Sequence, residues 1–417
     1  MRGVRGIGRW IACGLSLAVI ASASHISARG TSKLTGSLST DWYFLDDGTY
    51  SRVQSYNALR ASLTIPSGPS QYLLVRTNLR WRKDLDNSPA AVSQLYVYET
   101  YLQSSGLIKH TNIFVGRQFR FSNLGSALID GGTLQIKLGR RFQFEAFGGS
   151  QVLSVKPDEI RSFSDLGMAG VRMSGRINDA TYWGVDGLLR RYDGSTSYKA
   201  VGLDLAHSRR KLQAYAQATY DLANSRFATL RARISVSPNK WYASGEFVWR
   251  EPYVRSNSLF SVVAFDRYRL ARLGLRRVVH GSLAVDGSAN VSFTGTITTL
   301  YSTLGVATGN WGLGWRHQKG RGASSDGAYG YANLDLTKQW SVFGNTDLSR
   351  YRVQELEESL MDSYAATAGI CFRPGRDFTI RAEGQFLRNA INTSDWRLFL
   401  RVAKGFLIQP SPAGARP

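Results

Sequence analysis

Cysteine and histidine are scarce in this sequence, and long apolar runs are missing after its first 30 residues. Its 417 residues include two cysteines; Cys13 lies in an apolar N-terminal segment, which leaves Cys371 without an internal partner. A disulfide framework is therefore excluded. No run of about eighteen apolar residues follows residue 30, so no transmembrane helix is predicted there. The five histidines, His25, His110, His207, His280 and His317, are isolated from one another in the sequence.

The N-terminus carries the pattern of an export signal. Three arginines precede an apolar segment at residues 10–20, and Ala-Ser-Ala at residues 21–23 supplies the small residues that signal peptidase requires. The apolar segment is shorter than the roughly 20 residues that a membrane-spanning helix needs. The sequence therefore predicts a signal peptide over residues 1–23, with a second cleavage position after Ala28.

Alternation with a period of two recurs along most of the chain. In residues 59–65, 230–236, 378–386 and 396–406 every second residue is mostly apolar, and the residues between them are mostly polar or cationic. A strand between lipid and a water-filled lumen needs this pattern. The sequence therefore predicts an all-β fold, a transmembrane antiparallel up-and-down β-barrel.

Short polar or Gly/Pro-containing breaks divide the chain into hairpins of about 30 to 40 residues. They lie at residues 67–69, 104–106, 139–141, 178–179, 208–210, 238–239, 279–281, 309–310, 338–339 and 374–375. These turns predict about 22 strands, and merging weak strands at 134–138 or 282–308 lowers the number to about 20 or 18. We expect an even number, in one barrel domain over residues 24–406 followed by a tail at 407–417.

Longer irregular stretches alternate with these turns and predict loops at the opposite end of the barrel. They lie at residues 84–90, 120–131, 156–165, 251–265, 319–327 and 354–362. Tight turns at one end and longer loops at the other are typical of outer-membrane barrels.

The leader, the alternating hairpins and the aromatic terminal strand resemble Gram-negative outer-membrane β-barrels of the porin-like type, over essentially the whole mature chain. Residues 115–132 (VGRQFRFSNLGSALIDGG) resemble a strand and loop that bends into the barrel in several large porin-like families. This resemblance implies a constriction loop with Arg120 and Asp130. Residues 395–406 (DWRLFLRVAKGF) resemble the terminal strand that the barrel-assembly machinery binds, although further residues follow Phe406 here. The resemblance implies a location in the outer membrane, in contact with its lipid. Basic residues at the membrane interface would in addition contact the phosphates of lipopolysaccharide.

Positive charge is the strongest indication of function. Lys and Arg number 52 against 30 Asp and Glu, a formal net charge of +22. Strand arginines cost about 2 to 4 kcal/mol each at the lipid midplane, so we expect them to face the lumen or to lie near a membrane interface. The alternation predicts this for Arg60, Arg80, Arg82, Arg172, Arg231, Arg233, Arg272, Arg276, Arg381, Arg397 and Arg401.

Two interpretations of these arginines stay open at this point. A lumen lined by cations has a positive potential and favours anions. Alternatively, the arginines stiffen the wall by pairing with inward acids such as Asp204, Asp335, Asp347 and Glu383. The two interpretations are compatible.

The sequence predicts a channel for passive diffusion of small hydrophilic solutes, with a preference for anions. One alternative is an export conduit for an anionic polysaccharide, and another is an outer-membrane hydrolase. The sequence contains no zinc-ligand spacing, phosphate loop or nucleophile elbow, and no nucleic-acid recognition motif. We therefore expect no enzyme activity, metal or cofactor and no nucleic-acid partner, and the sequence specifies no oligomeric state.

Overall fold

The computed structural model describes residues 32–46, 51–85, 93–153, 157, 159–251, 266–320, 323–353, 360–390 and 394–409. The predicted signal peptide and residues 410–417 of the predicted tail lie outside these residues. The strands are β1 (Lys33–Asp46), β2 (Ser51–Gly68), β3 (Gln71–Asp84), β4 (Ser93–Ser105), β5 (Thr111–Ser122), β6 (Gly125–Leu138), β7 (Phe142–Gln151), β8 (Gly167–Asn178), β9 (Thr181–Tyr192), β10 (Ser195–Arg209), β11 (Leu212–Asp221), β12 (Arg226–Val236), β13 (Trp241–Arg250), β14 (Tyr268–His280), β15 (Leu283–Thr294), β16 (Ile297–Ala307), β17 (Trp311–Gly320), β18 (Ala323–Asp335), β19 (Trp340–Val353), β20 (Met361–Gly375), β21 (Phe378–Arg388) and β22 (Asp395–Ile408).

The strands form one closed antiparallel barrel. Each strand pairs with its neighbours in sequence, and β1 pairs with β22 from Leu34 opposite Ile408 to Asp46 opposite Trp396. The 22-stranded sheet confirms the predicted fold class and the even strand number. All ten predicted turns fall at or beside connections between consecutive strands, because each break lacks the alternation that the flanking strands carry.

The described helix, α1 (Phe163–Leu166), is a single turn in the connection between β7 and β8. No helix in the described part of the chain is long and apolar enough to cross a membrane.

Two of the predicted irregular stretches are wrong. Residues 120–131 belong to β5 and β6, which a two-residue turn joins. Of the stretch at 319–327, residues 319–320 belong to β17 and residues 323–327 to β18. Glycine and serine in these segments conceal a pattern that still alternates. The stretches at 84–90, 251–265 and 354–362 lie largely outside the described residues. The last strand also continues two residues beyond Phe406, so Leu407 and Ile408 belong to β22 rather than to a tail.

An apolar band surrounds the outside of the barrel. On β13, Trp241 and Trp249 lie on the same face. Trp241 is paired in the sheet with Arg277 of β14, and Trp249 with Arg269 of the same strand. Between these two levels β14 presents Leu273, which is 66% exposed. Eight residues of strand span about 27 Å, or about 21 Å across a membrane when the strand is tilted by about 40°. Aromatic girdles that flank an apolar band of about 25 Å are typical of outer-membrane barrels, which confirms the predicted membrane location.

Candidate functional site

The hairpin formed by β5 and β6 leaves the barrel wall. β5 pairs with β4 only from Asn112 to Arg117, and β6 pairs with β7 only from Ile129 onwards. The two strands continue to pair with each other up to Ser122 and Gly125. Residues 118–128 therefore form strand or turn without a partner in the wall, and we call them the inner hairpin.

Glycines make this bend sterically possible. Gly116, Gly131 and Gly149 lie side by side on β5, β6 and β7. Gly116 has a φ of 125°, which side chains other than glycine rarely adopt. A side chain on Gly131 would overlap the backbone of Gly148. The backbones can approach each other this closely only because the three positions lack a Cβ atom.

One face of the inner hairpin packs inside the barrel. Leu124 of the inner hairpin and Ile129, the next residue after the inner hairpin on β6, join a buried apolar cluster with Phe147, Met168, Leu188, Tyr198 and Ala200 of β7 to β10. The wall residues of this cluster lie on the same strand faces as the charged pair Arg172 and Asp186, so they belong to the inner surface. Each fully buried side chain of this size contributes about 1.5 to 3 kcal/mol. The cluster therefore fixes the inner hairpin against one side of the lumen.

Polar contacts hold the tip of the inner hairpin in the same place. The side-chain amide of Asn123 donates to Asp204 on β10, and Gln217 on β11 donates to the backbone carbonyl of Asn123 at 2.9 Å. Arg190 on β9 donates to the carbonyl oxygen of Ser126 at 3.3 Å. The tip is thus bonded to three consecutive strands.

Arg120 and Asp130, the predicted constriction residues, lie on the strands of this hairpin rather than in an irregular loop. Arg120 forms an ion pair with Glu145 on β7. Asp130 pairs with Arg117 at 2.7 Å. Neither residue lines the cavity described next, and both instead fix the hairpin in position.

The other face of the inner hairpin borders a cavity in the lumen. Phe119 and Leu128 line one side of this cavity of about 720 Å³. The facing side is built from β1 to β4 and β22, and it carries Arg60, Arg80 and Arg401. It also carries Asp41 and Glu99, whose carboxylates pair with Arg401 and Arg76. Phe119 remains 53% exposed. The cavity therefore has an apolar side and a cationic side.

The eleven predicted lumen arginines all lie on strand faces opposite to the outward apolar residues. Arg231 follows the outward Leu230, for example, and Arg397 precedes the outward Leu398. Seven of them form ion pairs within 4 Å: Arg82, Arg172, Arg231, Arg272, Arg381, Arg397 and Arg401. Among the described residues, no carboxylate lies within that distance of the other four, Arg60, Arg80, Arg233 and Arg276.

Arg60 and Arg80 are neighbours on adjacent strands at the cavity. Arg60 lies opposite Asn78, two residues before Arg80 on β3. The guanidinium of Arg80 lies over the ring of Tyr56, 4.0 Å from its centroid. Arg401, in contrast, is bonded to Asp41 at 2.6 Å. The cationic side of the cavity therefore carries two charges that no described carboxylate neutralises.

The sequence analysis predicted only some of the acids that form ion pairs with lumen arginines. Asp204, Asp347 and Glu383 form ion pairs, whereas Asp335 forms none with the described residues. The sequence analysis missed the paired acids Asp41, Asp84, Glu99, Glu145, Asp186, Glu246 and Asp395. Each of these acids lies an even number of residues from lumen-facing residues of its own strand, so it faces the lumen as well. This alternation is the sequence signal that identifies them.

The histidines that a hydrolase would need lie apart. His110 is in the turn between β4 and β5, and His280 ends β14. His207 contacts Thr181 at 3.0 Å, and His317 contacts Asp326 at 2.8 Å. The four therefore lie on separate elements that are not neighbours in the sheet. In the part of the chain that the structure describes, no cluster of three His, Cys, Asp or Glu residues is arranged to hold a metal ion.

No protein-family model and no curated protein sequence matches the chain. Several solved structures are similar in fold. The translocation pore of the P pilus usher PapC has a TM-score of 0.41 and 11% identity, covering 90% of this chain and 99% of that one. OpdQ of Pseudomonas aeruginosa has a TM-score of 0.44 and 9% identity, covering 91% and 99%. OccAB1 of Acinetobacter baumannii has a TM-score of 0.43 and 10% identity, covering 91% and 99%. Similarity at this level carries no argument about what this chain does.

Proposed function

We propose that this protein is a passive outer-membrane channel for small hydrophilic solutes, that the inner hairpin narrows it, and that it prefers anions. The observation that carries the proposal is the cavity beside the inner hairpin, where Arg60 and Arg80 lack a described carboxylate partner. The closed barrel and its apolar outer band support a lumen isolated from lipid.

The preference for anions depends on the unneutralised arginines rather than on the total charge. An ion pair such as Arg401 with Asp41 has no net charge, and its field falls off quickly with distance. Arg60 and Arg80 each add a full positive charge to the wall of a narrow cavity. A cleft lined by one sign of charge raises the local concentration of the opposite ion.

Small solutes pass such a channel by diffusion alone. The reaction of a hydrolase would need a nucleophile with an oriented base, and the separated histidines provide no such arrangement. Replacing His110, His207, His280 and His317 together by Gln should therefore leave solute flux unchanged.

Planar-bilayer recording tests the proposal directly. The purified protein should conduct ions, and its reversal potential in a low-salt KCl gradient should indicate anion preference. Replacing residues 119–128 by Gly-Gly should increase single-channel conductance, because it removes the material that narrows the lumen. A Gly-Ser insertion at residues 295–296, in the turn between β15 and β16, serves as a control and should leave conductance unchanged. Absence of conductance, or cation preference at low salt, would contradict the proposal.

A further inference from the structure

A groove lies on the lipid-facing side of the barrel, across β12 to β16. Its volume is about 950 Å³, and all of its lining residues belong to the described part of the chain. Leu273 and Leu275 of β14 form a ridge along its middle, and they are 66% and 51% exposed. The residues paired with this ridge in the sheet are small: Ala243 and Gly245 on β13, and Gly287 and Ala289 on β15. The groove therefore consists of two furrows, one on each side of the ridge.

Larger side chains form the outer walls of the two furrows. A Cβ atom added to Gly245 would lie 3.9 Å from Ile234 on β12 and 3.7 Å from Leu273 on β14. A Cβ atom added to Gly287 would lie 3.7 Å from Leu304 on β16, and Leu304 itself is exposed. These distances are those of ordinary van der Waals contacts between carbon atoms. The furrows can therefore each hold a hydrocarbon chain in contact with their walls.

Both furrows lead to Arg277, at the end of the barrel that carries the tight turns. Arg277 lines the groove two residues beyond Leu275, on the same face of β14. Its guanidinium lies over the ring of Trp241, 4.8 Å from the centroid, which holds it at the aromatic girdle. Lys240 precedes Trp241, and its carbonyl oxygen accepts a hydrogen bond from the backbone N–H of Val278 at 2.8 Å. Two cationic residues therefore lie where the furrows end.

No acid balances the charge of Arg277 on this outer surface. Arg277 is exposed and forms no ion pair with the described residues. The outward positions of β13, β14 and β15 carry no acidic residue. An arginine on the lipid face is costly unless it lies near an interface, so an anion from the membrane stabilises it there. Tight turns face the periplasm in outer-membrane barrels, and the anions at that level are phosphates of the inner leaflet.

We propose that this groove binds one anionic diacyl phospholipid of the inner leaflet. Arg277 donates to the phosphate, because a guanidinium matches phosphate oxygens in geometry and charge, and Lys240 adds a second cation. One acyl chain lies in each furrow, with the ridge between them. Arg277 and Leu273 are about 14 Å apart along the strand, or about 10 Å across the membrane at a tilt of about 40°. The furrows thus hold the part of each chain that is next to the head group.

A phospholipid fits this groove better than a second copy of the chain. A twofold interface places the same surface patch of both copies together. Two copies of Arg277 would then meet without an acid on either surface, and like charges at an interface are unfavourable. The site lies outside the lumen, so it does not depend on the proposed channel.

A lipid titration tests the head-group contact. Purified protein in detergent is incubated with phosphatidylglycerol and phosphatidylcholine of the same acyl chains, and native mass spectrometry measures the bound lipid. The wild type should bind one phosphatidylglycerol in preference. Arg277→Gln should weaken this binding by about tenfold, the loss expected for one charge-assisted hydrogen bond. Arg269→Gln is the matched control, because Arg269 pairs with Trp249 at the other end of the same two strands; it should bind like the wild type. Lys240→Gln should weaken binding in the same direction if Arg277→Gln does not assemble.

Filling the furrows tests the contacts with the acyl chains. Gly245→Leu combined with Gly287→Leu places side chains where the lipid chains would lie, and neither Cβ atom overlaps a neighbour. Binding of both lipids should fall, because the cations are unchanged but the furrows are occupied. Gly384→Leu is the matched control, since Gly384 lies opposite the outward Leu398 and has no atom within 4 Å of an added Cβ. It should leave lipid binding unchanged.

The outcomes separate the lipid site from the other occupant and from the channel. Equal binding of phosphatidylglycerol by the wild type and by Arg277→Gln would overturn the site, as would unchanged binding after the furrows are filled. An oligomer that carries no phospholipid and dissociates when the furrows are filled would show that a second copy of the chain occupies the groove. Loss of lipid binding with wild-type conductance supports the site, because the substituted positions face away from the lumen.

Discussion

Replacing Arg60 and Arg80 together by Gln should remove most of the anion preference. A sphere of the observed cavity volume, about 720 Å³, has a radius of about 5.6 Å, so an ion at its centre lies about 6 Å from the lining. At that distance a unit charge in water changes the energy of a monovalent anion by about 0.7 kcal/mol. Two such charges give about 1.4 kcal/mol, which corresponds to about tenfold in anion occupancy.

Salt reduces this effect in a predictable way. At 0.1 M the Debye length is about 10 Å, which lowers the contribution to about 0.8 kcal/mol, or about fourfold. At 1 M the Debye length is about 3 Å, and the contribution falls to about 0.2 kcal/mol. The difference in selectivity between the wild type and the double variant should therefore be large at low salt and nearly absent at 1 M.

The assay is the reversal potential across a KCl gradient, measured at low and at high mean salt. The matched control replaces a neutral pair that lines the same cavity, Asp41→Asn together with Arg401→Gln, and should retain the wild-type reversal potential. If the Arg60 and Arg80 double variant keeps the wild-type value at low salt, the selectivity has another source. An equal change in the control variant would show that disturbance of the wall, rather than net charge, determines selectivity.

Three further predictions follow from the same geometry. Asp41→Asn alone should free the charge of Arg401 and increase anion preference at low salt, and a reversal potential unchanged from the wild type would contradict this. Leu230→Arg should lower the folded yield, since an arginine facing lipid costs about 2 to 4 kcal/mol. Arg231→Leu, in contrast, should assemble and alter conductance. Equal folded yields of the two variants on a heat-modifiability gel would show that the assigned facing is wrong. Gly131→Val should prevent the inward bend and increase conductance if the barrel still forms, and a wild-type conductance would refute the steric argument.

The architecture follows from the sequence because its signals are local. Period-two alternation and the breaks between strands can be recognised within about ten residues, and they correctly predict ten turns and an even strand number. The same alternation predicts which side chains face lipid and which face the lumen. Arg231, for example, must face the lumen if its neighbours Leu230 and Ala232 face lipid.

The details of the candidate site depend on relations between distant residues. The inward bend requires Gly116, Gly131 and Gly149 to be neighbours across three strands, which the registers determine and the sequence alone does not. The strand registers also determine which arginines are neutralised by a carboxylate. Glu246 contacts both Arg231 and Arg272 because their strands flank its own. The sequence indicates many inward arginines, but only the registers distinguish Arg60 and Arg80 from those that are neutralised.

The buried cluster beneath the inner hairpin also has a consequence for folding order. Leu124 comes from the turn between β5 and β6, and the other members come from five consecutive strands, β6 to β10, so they are close in sequence compared with the seam between β1 and β22. Contacts with small sequence separation form faster than those that close a long loop. This segment can therefore collapse onto its own apolar core while the barrel is still an open sheet. The obstruction of the lumen would then exist before the barrel closes, and a barrel arrested before closure should already protect the amides of strands β6 to β10 from hydrogen exchange.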